Sequence, residues 1–66
     1  MAIHKVIEVL SQSDKSWEDA AQVAVKDAGK TVKNIRSIWV KNFEGVVRGN
    51  KIVGYRVNAH ITFEVD

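Results

Sequence analysis

Three side chains near the end of the chain are equipped for chemistry. Arg56, Asn58 and His60 stand at every second position of the closing stretch I-V-G-Y-R-V-N-A-H-I-T-F-E-V-D, residues 52–66. A spacing of two puts them on one face of a strand. The Arg56 guanidinium suits a phosphate or carboxylate of a ligand, or an ion pair with Glu44, Glu64 or Asp66 of a neighbouring subunit. His60 is a metal ligand by type, and His4 on the first strand is the other histidine. With no cysteine and no carboxylate at ligand spacing, the pair reads more simply as surface or interface histidines that hydrogen-bond locally. Trp39 is suited to stack on a planar ligand or to anchor an interface, a role in which tryptophan is enriched. No nucleophile elbow, phosphate loop, dinucleotide fingerprint or H-E-x-x-H occurs, so no enzyme is expected.

The elements that position these residues follow from periodicity. In residues 52–66, Val53, Tyr55, Val57, Ala59, Ile61, Phe63 and Val65 alternate with polar residues, which predicts a long strand with one apolar face. Residues 3–10, I-H-K-V-I-E-V-L, predict a first strand. Lys5 interrupts one of its faces and Val6 and Leu10 occupy the other, so a partner subunit is expected to supply burial on that side. Ser11 to Ser16 read as a loop. Ser16 and Asp19 form an S-x-x-D capping signal with Ser16 as N-cap. A helix is predicted from Trp17 to Val32, with Trp17, Ala20, Ala21, Ala24, Ala28 and Val32 on one stripe. Trp17 is expected in that core. Asn34 suits the exit from the helix.

Ile35 to Val47 predict a second strand, with Ile38 and Val40 on one face and Ser37, Trp39, Lys41 and Phe43 on the other. Gly49-Asn50 suits a hairpin loop of positive φ. The order is β-α-β-β, an α+β fold. Placing the third strand between the other two makes every neighbouring pair antiparallel, with one helix covering one face. The opposite face, with Trp39, Phe43, Arg56, Asn58 and His60, is expected to stay open as an interface or ligand surface.

The chain has 66 residues, no cysteine, and ten basic against eight acidic side chains, a net charge of +2. One domain, residues 1–66, is expected. A chain of this size without disulfides or a structural metal needs oligomerisation for support. The charges are dispersed, so no nucleic-acid partner is expected. No apolar run approaches the ~20 residues of a membrane span, and the start M-A-I-H-K lacks a signal peptide's apolar core. The expected setting is the cytoplasm, without a membrane partner.

The chain resembles the dodecins, small flavoproteins with β-α-β-β subunits that assemble into hollow dodecameric shells. The resemblance rests on H-K-V-I-E-V at the start, S-W-E-D-A-A at the helix opening, K-T-V-K-N-I-R at the helix exit and Y-R-V-N-A-H-I-T-F-E-V at the close. It implies a homododecamer, a small-molecule ligand and a flavin cofactor, FMN or riboflavin, with a site around Ser37, Trp39 and Arg56. In flavin-binding dodecins a tryptophan early in the second strand stacks on the flavin, and that position falls on Ser37. Trp39 lies two residues on, on the same strand face, with its ring displaced by about 6.5 Å. A glutamine follows the tyrosine of the third strand in flavin binders, whereas Arg56 follows Tyr55 here. Alternatives are a shell that has lost flavin and holds another phosphate-bearing cofactor, a metal ion or nothing, and a small β-α-β-β interaction module without a shell.

Overall fold

A computed structural model describes residues 2–65. The elements are β1 (Ile3–Ser13), α1 (Trp17–Ala28), β2 (Ile35–Arg48) and β3 (Lys51–Val65). The sheet order is β1-β3-β2 and both pairings are antiparallel. β3 is central, as its length and unbroken alternation predict.

The core lies between β3 and the alanine stripe of α1. Val57, Ala59 and Ile61 are fully buried, as is Ala20, and Ala24 is nearly so. Alanine keeps the helix close to the sheet because no longer side chain holds it away. The predicted apolar face of β3 is closed only over its middle. Val53 and Val65 are exposed, because α1 is too short to reach either end.

Local chemistry fixes the ends of α1. Ser16 is extended, and its hydroxyl accepts a hydrogen bond from the Asp19 amide at 2.9 Å. Glu18 and Asp19 occupy the first turn, where the helix dipole favours negative charge. The helix ends at Ala28, not at Val32. Gly29 is the C-cap, and Lys30 and Thr31 close tight turns onto Asp27 and Ala28. Gly29, Thr31 and Val32 are weak helix formers, and Asn34, at φ 64°, redirects the chain into β2.

β1 is longer than its apolar run. Ser11, Gln12 and Ser13 pair with Val57, Arg56 and Tyr55 and belong to the strand, not to a loop. The Gln12 side chain finds a partner within the fold in Arg56. The Ser13 hydroxyl is buried and donates to the Asp19 carboxylate at 2.6 Å.

β2 departs most from simple alternation. Arg36 and Lys41 are extra residues in its pairing with β3, and Val53 is an extra residue on β3 near the hairpin. The bulge at Lys41 turns Phe43 from the open face, where alternation puts it, to the helix face opposite Val57. There Phe43 meets Trp17 edge-on at 6.2 Å, and Trp17 meets Tyr55 at 4.8 Å. Trp17 thus joins the core edge as expected, and its Nε1 donates to the Glu44 carbonyl at 3.1 Å. Gly49 and Asn50 both have positive φ, the backbone of a two-residue hairpin turn.

Candidate functional site

The sheet face turned away from α1 is uncovered within the subunit, and the strand registers order it in rows. One row is Val6, Thr62 and Ser37; the next is Glu8, His60 and Trp39; then Leu10, Asn58 and Asn42; then Gln12, Arg56 and Glu44. Val6, Leu10 and Trp39 are exposed on it, Trp39 at 61%. An apolar and aromatic surface of this kind, ringed by polar groups, marks a contact or ligand face.

Ser37, Trp39 and Arg56 all lie on this face, but they do not converge within one chain. Trp39 and Ser37 stand in adjacent rows. The Arg56 row is four β3 residues from the Trp39 row, roughly 13 Å along the strand. Trp39 presents its ring edge-on to His60, with centroids 5.2 Å apart and planes at 82°. The contact engages the edge of the pair, and most of the indole stays exposed.

Arg56 is engaged inside the subunit, where the sequence suggested a neighbouring subunit's carboxylate. Nη1 donates to Glu44 Oε1 at 3.1 Å, and Nε and Nη2 donate to Gln12 Oε1 at 3.3 and 3.1 Å. The row positions all three side chains side by side, so the guanidinium spans the whole sheet. Glu64 is taken by Arg36, whose Nε approaches Oε1 at 3.0 Å. The bulge at Arg36 aims it there, since strict alternation would turn it toward the helix face.

The two histidines share the face but not a site. His60 is opposite Glu8 and His4 is opposite Glu64, four residues further along β3. His60 Nε2 lies 3.6 Å from Glu8 Oε2. Among the described residues no three His, Cys, Asp or Glu side chains gather to hold a metal. Sequence reading missed Glu8 and Gln12 as neighbours of His60 and Arg56. Counting back from an assumed antiparallel register would have found both, because the β1–β3 pairing runs without a bulge. Among the described residues no helix is long and apolar enough to cross a membrane.

Comparison with known proteins agrees with this architecture. The dodecin family model matches residues 3–66. The calcium dodecin of Mycobacterium tuberculosis is 32% identical over 65 residues, covering 98% of this chain and 92% of that protein. A crystal structure of calcium dodecin from the same organism, described as a calcium-chelating antigen with a novel calcium-binding site, aligns with a TM-score of 0.84. Its identity is 31%, over 97% of this chain and 91% of that one. A Thermus thermophilus crystal structure aligns with a TM-score of 0.94 at 24% identity, over 100% of this chain and 97% of that one, which shows a shared fold. With its β-α-β-β order, its central third strand and a family match that spans residues 3–66, the chain belongs to the dodecin family.

Proposed function

We propose that the chain, as a single dodecin-like domain of residues 1–66, forms a homododecameric shell that binds and stores a flavin-type ligand, FMN or riboflavin, without transforming it. The observation that carries this reading is Trp39, 61% exposed on the uncovered sheet face with most of its ring free to stack. Ser37, small and one row away, leaves room beside that ring. Arg56 frames the same face at a distance and serves the subunit through Gln12 and Glu44. Val6 and Leu10 support the shell, since an isolated subunit leaves both in water.

Riboflavin fluorescence tests the ligand. Purified protein at micromolar concentration is expected to quench added riboflavin. Replacing Trp39 by Ala removes about 1–3 kcal/mol of stacking, or roughly 5- to 150-fold in affinity, with the particle intact. Unchanged riboflavin fluorescence rules the ligand out. Native mass spectrometry reports subunit number and retained ligand together, and a monomer would rule the shell out.

A second reading is a shell that holds calcium. It draws on the relative named calcium dodecin and on Glu8, which projects from the uncovered sheet face and, unlike Glu44 and Glu64, is not held by an arginine among the described residues. Calcium takes six to eight oxygens, so such a site would draw ligands from more than one subunit. Calorimetric titration of chelator-treated protein with calcium chloride distinguishes this reading from the first.

A further inference from the structure

Glu8 and His60 are directly opposite in the unbulged β1–β3 register, so the backbone fixes their approach. Their facing atoms are 3.6 Å apart, beyond hydrogen-bond range. Two donors each about 2.1 Å from one first-row ion, set at a tetrahedral angle, lie about 3.4 Å from each other. A shared ion fits that spacing. Asn58 stands in the next row on the same face. Its Oδ1 is buried and has no hydrogen-bond partner, an arrangement that is costly unless something meets the oxygen. Asn58 and Glu8 line a single open cleft of about 370 Å³, together with Val9 and Leu10.

We propose that Glu8, His60 and the Asn58 amide oxygen form a binding site for a first-row transition ion of the Zn²⁺, Co²⁺ or Ni²⁺ type. One imidazole nitrogen with two oxygens favours these ions, whereas calcium takes oxygen alone. The Glu8 side chain is 57% exposed within the subunit, so the remaining coordination positions are left to water or to a neighbouring copy. His60 is better held, with its side chain 27% exposed and Trp39 against its ring. His4 has no equivalent arrangement, because the carboxylate opposite it, Glu64, is bound by Arg36 at 3.0 Å.

Trp39 provides the readout, since its ring lies 5.2 Å from that of His60. The protein is stripped with chelator and titrated with nickel chloride alone, without flavin. In the Trp17→Phe variant, where Trp39 is the remaining tryptophan, nickel is expected to quench the fluorescence saturably at micromolar concentration. His60→Gln and Glu8→Gln are expected to abolish saturation, His4→Ala to leave it unchanged, and calcium chloride to have no effect. Calorimetry of nickel binding to the unsubstituted protein and to His60→Gln gives the same answer if Trp17→Phe does not fold. No saturable binding below about 1 mM overturns the site. So does binding that survives His60→Gln but is lost in His4→Ala, and so does displacement of nickel by equimolar calcium. None of these results depends on whether riboflavin binds.

Discussion

Arg56 links the three strands through one side chain, with Gln12 on β1 and Glu44 on β2 as its partners. Its contribution to stability is nevertheless small, because the Arg56 and Glu44 side chains are 37% and 64% exposed and solvent screens such pairs. Arg56→Gln is expected to lower stability by less than about 1 kcal/mol in urea unfolding at fixed protein concentration. Ile61 is the contrasting case, an aliphatic side chain on β3 with no exposed surface. Ile61→Ala is expected to cost about 2–5 kcal/mol by the same measurement, since the close-packed helix cannot collapse fully into the void. Ile61 is legible as core from alternation alone. The Arg56 row is not, because it joins residues 44 and 12 positions apart in sequence. The hydrogen bond from Trp17 to the Glu44 carbonyl is hidden in the same way, at a separation of 27.

The start of α1 and the hairpin turn, both set by local chemistry, were legible, whereas the end of α1, predicted at Val32, lies at Ala28. Ser16 caps α1 as its side chain predicts, and Gly49-Asn50 makes the turn that their tolerance of positive φ predicts. Elements shaped by a partner strand were not. The last residues of β1 are Ser11, Gln12 and Ser13, poor strand formers held by pairing with β3. The bulges of β2 are likewise set by its fit to β3, and they leave no mark in the composition of the strand. For this reason Phe43 is misassigned by alternation while Trp39, on the other side of Lys41, is not. Inserting one residue between Asn42 and Phe43 is expected to place Phe43 opposite Arg56, on the open face, and drive it off Trp17. A one-residue slip moves every following side chain to the opposite face. Near-ultraviolet circular dichroism should lose the tryptophan signal of the Trp17 cluster, and thermal unfolding should fall or lose cooperativity. An insertion variant with an unchanged spectrum and melting temperature would contradict this account of the β2 register.

On the scale of the whole molecule, the subunit measures 50 × 20 × 13 Å, too thin for a second layer on the uncovered sheet face. A chain that relies on copies of itself for that layer gains stability by mass action. Its melting temperature is therefore expected to rise with protein concentration, and light scattering should show subunits dissociating as the protein is diluted. A concentration-independent melting temperature together with a monomeric mass would show that the subunit stands alone. The need for association was legible from size and the absence of cysteine, and the uncovered face from Val6 and Leu10.

The hairpin arm of β2 and β3 overhangs the sheet, because β1 stops opposite Tyr55 while the ladder continues to Arg48 and Lys51. Beyond that point the sheet is a two-stranded ribbon with Val47, Ile52 and Val53 exposed. Two-stranded ribbons are marginal in water, so the amides of residues 46–53 should exchange with deuterium far sooner than those of residues 57–61. The rate at the arm then becomes a clock for association: fast in dispersed subunits, and slowed where a neighbouring copy lies against the ribbon.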